Sequence, residues 1–366
     1  MDFTVYMPVR VVSGCDCVAQ NADYLLHLGK RFLIMTGGRS ARLSGAMDDV
    51  AQVLEAGAAE MTVFDGVSAN PLLSQCQAAA RAARAFRADA IIGIGGGSVM
   101  DAAKAAAWLA ANDPEDTVSL YALTLPHPPL PLALVGTTAG TGSEVTPTAV
   151  ITVDADHRKR SIVHPHCYAR VAFADPRYTA TMPRAVTIST ALDALSHTVE
   201  GWFGPACGDY ATACGEKALP LIARNLSRLA EGGTPDPAMR EELLYGSLWA
   251  GLVLGAAGTA FPHPFSYILT EDYGIAHGLA CAVFLPAFTR RAEEYAPERA
   301  ARLFSLCGGR DAYYRLLDLL VKADVRMTPD QIAGYATRWP GLKNLPRTPG
   351  GFTPQDGVAL FTRLFT

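Results

Sequence analysis

Apolar positions follow two different rhythms along the chain. From residue 1 to about 180, short apolar runs alternate with stretches of helical period. "RFLIMTGG" (31–38) is an apolar strand closed by glycines, and a helical run over 41–57 and a short strand at "EMTVFDG" (60–66) follow it. "SANPLLSQCQAAARAARAF" (68–86) predicts a helix, with Asn70 as its N-cap and Pro71 at its first position. "ADAIIGIGGGS" (88–98) is a buried strand running into a glycine turn, and "MDAAKAAAWLAA" (100–111) is an alanine-rich helix. The N-terminal "MDFTVYMPVRVVSG" has no basic-then-apolar leader pattern and predicts an opening strand. Strand alternating with helix implies a mainly parallel sheet covered on both faces.

From about residue 181 the strand pattern stops. "AVTISTALDALSHTVEGW", "ATACGEKALPLIARNLSRLA", "AMREELLYGSLWAGLVLGAAG" and "TPDQIAGYATRWP" all carry helical period, and Pro183 marks the boundary. The expected organisation is an α/β domain over 1–180, an all-α domain over 181–366, and a cleft between them. Residues 246–262 are uncharged but rich in Gly and Ala and closed by proline, which predicts a buried helix rather than a membrane span.

Composition narrows the function classes. Half of the 366 residues are hydrophobic and net charge is −4, with no basic run, so a nucleic-acid partner is not expected. The eight cysteines are scattered without a CxxC pair, which fits reduced, cytoplasmic thiols and neither a zinc ribbon nor a disulfide framework.

Three segments carry chemistry. In "GIGGGSVMDAAKA" (93–105), glycines allow positive φ and leave no Cβ, so backbone N–H groups can approach a pyrophosphate at a helix N-terminus. A tight turn that binds nothing is the plainer reading, but Gly95, Gly96, Gly97 and Ser98 exceed what such a turn needs. In "LALVGTTAGTGSEVTPTAVIT" (132–152), Thr137, Thr138, Thr141, Ser143 and Thr146 offer hydroxyls to phosphate, ribose or amide groups. The third element joins "DALSHTVEGW" to "FPHPFSYILTEDYGIAHGLACAVFLP". Asp193 and His197 share one helical face, and His263 and His277 come from the second segment. One carboxylate and three imidazoles suit a divalent ion of borderline character, iron or zinc.

In content, order and spacing, "FDGVSANP", "GIGGGSVMDAAKA", "GTTAGTGSEVT", "FADPRYTATMP", "DALSHTVEGW" and "HPFSYILTEDYGIAHG" together resemble the iron-dependent (group III) alcohol dehydrogenases. The resemblance implies a Rossmann-like N-terminal domain and a helical C-terminal domain, a dehydroquinate synthase-like architecture. It implies a metal held by Asp193, His197, His263 and His277, Fe2+ with Zn2+ as the alternative, and NAD or NADP contacted by Asn70, Gly96, Gly97, Ser98, Asp101, Thr137, Thr138, Thr141 and Lys159. It also implies a homodimer acting on a small alcohol or aldehyde, which joins the expectation from composition of a cytoplasmic protein with neither nucleic acid nor membrane as partner. A glycerol dehydrogenase-like polyol enzyme and a non-catalytic binding protein of the same fold are the alternatives.

Departures from the family pattern add expectations. Tyr267 replaces a histidine that many members carry four residues after His263, which puts a tyrosine hydroxyl in the proton relay. Gly37 stands where NAD-specific members often carry Asp, with Arg39, Ser40 and Arg42 following, which favours NADP. The chain also ends somewhat earlier than is usual. Thr146, Thr148, Val150, Leu252, Leu254, Phe261 and Tyr267 are the expected substrate walls, and "HPFSYILT" resembles the segment of members acting on short aldehydes such as phosphonoacetaldehyde.

Overall fold

A computed structural model describes residues 4–366. The first unit, Tyr6–Pro183 with Asp236–Leu244, is built on eight strands. They are β1 (Arg10–Ser13), β2 (Arg31–Thr36), β3 (Glu60–Phe64), β4 (Ala90–Gly95), β5 (Leu132–Gly136), β6 (Thr148–Val153), β7 (Arg158–Val163) and β8 (Val171–Ala174). Six form one sheet in the order β1-β8-β5-β4-β2-β3, every pair parallel, while β6 and β7 make a separate antiparallel hairpin.

Parallel strands covered on both faces need continuous apolar runs, and β4 and β5 are buried at every position. Alternate residues of β2 feed two cores. Leu33 and Met35 pack with the helices α2 (Leu73–Phe86) and α3 (Gly97–Ala111). Phe32 and Ile34 pack with α1 (Ala46–Ala56). The chain moves outward from β2 to β3, then returns beside β2 as β4 and continues to β5. The adjacent ends of β2 and β4 are therefore a topological switch point, where open α/β sheets take their ligands. Gly37 and the Gly95–Ser98 turn lie there.

Three local expectations change. The helical run at 41–57 is split, because Gly45 turns left-handed at φ 82 before α1 begins. Asn70 is not an N-cap. It has left-handed φ 54 and α2 starts at Leu73, where Gln75 Oε1 accepts from Leu72 N at 3.0 Å. The opening strand is Arg10–Ser13, and residues 1–3 lie outside the described residues.

The second unit, which includes Arg184–Pro235 and Tyr245–Thr366, is helical. Its leading elements are α4 (Arg184–Phe203), α5 (Asp209–Ala230), α6 (Pro237–Ala257), α7 (Pro262–Tyr273) and α8 (His277–Ala282). The expected division at 180/181 meets a break after Pro183, and Asp236–Leu244, the start of α6, groups with the α/β unit. Arg240 explains that grouping, since its guanidinium donates to the carbonyls of Thr179 and Met182. Among the described residues no single helix is long and apolar enough to cross a membrane, and the uncharged end of α6 bends by 115° into α7.

Candidate active site

Helix α4 presents Asp193, His197 and Glu200 on one face, at positions separated by four and then three residues. All three are buried. Glu200 organises the next element. Its Oε2 accepts from Ala260 N at 2.8 Å and from His263 N at 3.4 Å, satisfying N–H groups where the chain bends into α7. Its Oε1 lies 2.5 Å from His263 Nδ1. That contact puts the His263 proton on Nδ1 and leaves Nε2, buried and without a hydrogen-bond partner, as a lone-pair donor. Burial raises the Glu200 carboxyl above its usual range, and the His263 ring beside it opposes that shift.

His277 opens α8, and the glycine after it explains the packing. A Cβ at Gly278 would stand 1.8 Å from Ser189 O and 2.8 Å from Asp193 N, so only glycine lets α8 lie this close to α4. The imidazoles converge on one oxygen. Nε2 of His197, His263 and His277 lie 3.8, 3.8 and 3.7 Å from Asp193 Oδ1. These spacings are too long for hydrogen bonds. Ligand atoms around a tetrahedral ion with bonds of about 2.1 Å stand about 3.4 Å apart, close to what is seen. The rings of His197 and His263 stack at 4.6 Å. One carboxylate, three imidazoles and an orphaned, buried His263 Nε2 fit a divalent transition metal.

The set is open on one side. His277 is 29% exposed against 5–7% for the other three side chains. Tyr267 packs beside His277 with ring centroids 5.9 Å apart, and burial pushes its phenol up to about 12, so it stays protonated at neutral pH. Two residues that sequence reasoning passed over belong here. Glu200 lies seven residues after Asp193, a helical spacing that could have found it. Cys281 lies one turn after His277, and its Sγ joins Asp193, His263 and His277 in a group of donor atoms all within 4.8 Å of one another. Phe261, expected as a pocket wall, is fully buried and stacks on Phe352 at 4.1 Å in an aromatic core.

In the α/β unit the glycine turn and the threonine loop meet. Cβ atoms at Gly96 and Gly97 would come within 3.0 Å of Thr138 and 2.4 Å of Thr141. Gly95, Gly96 and Gly97 have no positive φ, so close approach and not left-handed backbone is why they are glycines. Asn70 N donates to Ser98 Oγ at 3.3 Å, drawing the Asn70 turn to the start of α3. Gly37 has no room for a side chain, since a Cβ would lie 2.5 Å from Val67 O. Arg39, Ser40 and Arg42 beyond it are exposed.

Lys104 is the hub beneath this loop. Its buried ammonium donates to Ser143 O (2.8 Å), Ser143 Oγ (2.7 Å), Thr146 O (3.1 Å) and Thr148 O (2.7 Å), with Thr146 Oγ1 at 3.4 Å. Asp101 accepts from Ser143 Oγ at 2.6 Å and from Val150 N at 2.9 Å. Burial raises the Asp101 carboxyl, with Lys104 opposing the rise, and Lys159 also bears on its charge. Asp101, Ser143 and Thr146, read from sequence as cofactor contacts, are thus engaged with Lys104 and the hairpin. Thr137, Thr138 and Thr141 are the loop's remaining threonines, and the Thr137 hydroxyl is buried without a hydrogen-bond partner. Glu144 is also buried, which pushes its carboxyl up to about 7.

Comparison with known proteins agrees with this picture. A family profile described as iron-containing alcohol dehydrogenase matches residues 8–176, and the C-terminal profile of the Fe-containing alcohol dehydrogenase family matches 187–328. Long-chain-alcohol dehydrogenase 1 of Geobacillus thermodenitrificans is 32% identical over 93% of this chain and 88% of its own. Sulfoacetaldehyde reductase of Bilophila wadsworthia is 30% identical over 85% of this chain and 80% of its own. The crystal structure of an iron-containing alcohol dehydrogenase from Thermotoga maritima superposes with a TM-score of 0.91 at 32% identity, covering 100% of this chain and 99% of that one.

Proposed function

The chain belongs to the iron-containing alcohol dehydrogenase family and is a nicotinamide-dinucleotide-linked oxidoreductase of alcohols and aldehydes, and from that premise we propose how its own residues carry the reaction. Asp193, His197, His263 and His277 would hold the divalent ion, iron in the first instance and zinc as the alternative. When bound, the ion supplies Lewis-acid polarisation of an alcohol or carbonyl oxygen, and the nicotinamide supplies or accepts the electron pair as hydride. The single Asp193 carboxylate against three neutral imidazoles keeps the centre's net charge positive. Glu200 fixes the His263 tautomer, so that its Nε2 points toward Asp193. The more exposed His277 side admits a small substrate oxygen. The Tyr267 hydroxyl beside it relays the proton toward solvent.

Gly95, Gly96, Gly97, Ser98, Asn70, Thr137, Thr138 and Thr141 would bind the dinucleotide, while Asp101, Ser143 and Thr146 brace their loop and Lys159 adds positive charge nearby. Gly37 withholds the carboxylate that would bind a ribose 2′-hydroxyl and repel a 2′-phosphate, and Arg39 and Arg42 follow it. That favours NADP(H), by about tenfold if phosphate contacts contribute about 1.4 kcal/mol. The proposed substrates are short-chain aldehydes, including anionic ones of the phosphonoacetaldehyde type. A relative named for sulfoacetaldehyde supports that choice. The eight free cysteines and the absence of a basic run favour a cytoplasmic protein without nucleic-acid or membrane partners, and a homodimer is the proposed assembly.

The observation that carries the mechanism is the convergence of three imidazole Nε2 atoms on Asp193 Oδ1. Anaerobic Fe2+ loading followed by NADPH and NADH oxidation across a panel of short aldehydes tests it. Turnover that Asp193→Ala abolishes together with bound metal is the expected result. Turnover by metal-free protein would refute the role given to the ion.

A further inference from the structure

Asn70 holds a backbone conformation that is uncommon outside glycine. Its φ is 54, in the left-handed region, and the following Pro71 narrows its choices further. A residue held in this way persists where its surroundings over-determine it, and such residues cluster at ligand-binding turns. The turn is closed on itself by Gln75, whose Oε1 accepts from Ser68 N (3.2 Å), Ser68 Oγ (3.1 Å) and Leu72 N (3.0 Å). Its leading end is fixed by the bridge between Gly37 and Gly66. Its trailing end is tied to the hairpin twice. Thr152 N donates to Pro71 O at 2.8 Å, and Leu72 pairs with Thr152 as an isolated parallel bridge. Just beyond β6, the Asp154 carboxylate accepts from Ser74 Oγ at 2.5 Å and from Ser74 N at 2.9 Å. Ser74 lies in the first turn of α2, where backbone N–H groups lack partners inside the helix. A carboxylate from another element therefore satisfies one of those donors and faces the positive end of the helix. Desolvation opposes its ionisation, but the Ser74 hydroxyl and N–H hold the Asp154 carboxyl below its usual range.

We propose that Asp154 is a positioning residue for the dinucleotide, and that its latch on Ser74 holds the Asn70 turn against Ser98. The bridge at Thr152 fixes where Pro71 and Leu72 lie but leaves the segment a pivot. The second attachment, at Ser74, removes that freedom, and Asn70 N then meets Ser98 Oγ at 3.3 Å. The hairpin that carries the latch is itself pinned to α3, because Lys104 donates to Thr148 O and Asp101 accepts from Val150 N. Lys159 stands on β7 opposite Thr152. One hairpin thus joins the start of α3, the Asn70 turn and Lys159, which lie apart in sequence. The proposal rests on the reading of Asn70 as a dinucleotide contact and adds what holds it in place.

A double-mutant cycle separates positioning from general stability. Metal-loaded wild type, Asp154→Ala, Ser74→Ala, Asn70→Ala and the Asp154→Ala, Asn70→Ala pair are titrated with NADPH and NADH by fluorescence. Steady-state rates with a short aldehyde then give the dinucleotide KM and kcat. Asp154→Ala should weaken dinucleotide binding by about fivefold, the lower end of ordinary coupling between sites. Its dinucleotide KM should rise to match, with kcat at saturating dinucleotide within about twofold of wild type. Ser74→Ala keeps its N–H and should fall between the two. In the Asn70→Ala background, Asp154→Ala should have no further effect, because the turn it positions has already lost its contact. An equal loss in both backgrounds would mark a merely structural role and overturn the proposal. Wild-type binding by Asp154→Ala would overturn it too, while leaving Asn70 as a contact. Wild-type binding by Asn70→Ala would instead overturn the reading of Asn70, and the latch with it.

Discussion

Replacing Gly278 by alanine tests whether the approach of α8 to α4 sets the metal site. The added Cβ would start 1.8 Å from Ser189 O, and ordinary contact begins near 3.4 Å, so about 1.6 Å of separation must be found. The opposing atoms are backbone within α4, which no side-chain rotation can move. Alanine in a helix ordinarily gains up to about 1 kcal/mol over glycine, whereas overpacking of a fitted contact costs about 1–3 kcal/mol. The clash is backbone against backbone, so the second effect should win, with a net loss of about 1–2 kcal/mol. His277 must move with its helix by a distance well beyond the few tenths of an ångström that metal ligands tolerate. Gly334 provides the control, because a Cβ there meets nothing within 4 Å. Thermal melts with and without metal, together with metal titration, read the outcome. Gly334→Ala should be neutral or slightly stabilising with unchanged metal affinity. Gly278→Ala should melt lower and lose metal affinity by at least about tenfold. A Gly278→Ala protein that melts and binds metal like wild type would refute the close-approach account.

Glu200→Gln keeps the shape of the side chain but removes the charge that orients His263. Metal affinity should fall by about 10- to 100-fold in competition titrations, and unchanged affinity would show that Glu200 does not tune the site. Glu144 carries a pH prediction. Its folded carboxyl titrates at about 7 against an ordinary value of 4.5. The native state therefore holds the proton longer than the unfolded chain, and stability falls as pH rises from 4.5 through 7. At about 1.4 kcal/mol per unit the loss approaches 3 kcal/mol. Glu144→Gln should match wild type in denaturant melts at pH 4.5 and exceed it by about 2–3 kcal/mol at pH 8, and parallel pH curves for the two proteins would contradict this.

Strands β2 and β4 were legible because they are uninterrupted apolar runs, and α4 because its helical period is sustained over many turns. Boundaries failed where a distant or unusual partner decided them. The Asn70–Pro71 pair has the form of a helix start, but Gln75 occupies the backbone N–H that a cap would satisfy, and Asn70 turns left-handed toward Ser98. The metal residues could be read from spacing and resemblance. Glu200 was missed because its task is to hold another ligand, a role that shows only when α7 bends back over α4. Cys281 was missed because cysteines were weighed in pairs and not against His277 one turn earlier. The loop 137–146 showed its hydroxyls but not their partners. Lys104 lies well before Ser143 and Thr146 in sequence, and only the fold shows which oxygens face it.

That lysine has a thermodynamic consequence. Its ammonium and Asp101 tie one side of the threonine loop to α3, the helix whose first turn includes Gly97 and Ser98. A loop fastened in this way has lost most of its conformational freedom during folding, before any ligand arrives. Nucleotide binding there should carry little ordering entropy and a modest heat-capacity change, the calorimetric signature of a preformed surface rather than of a segment that folds around its ligand.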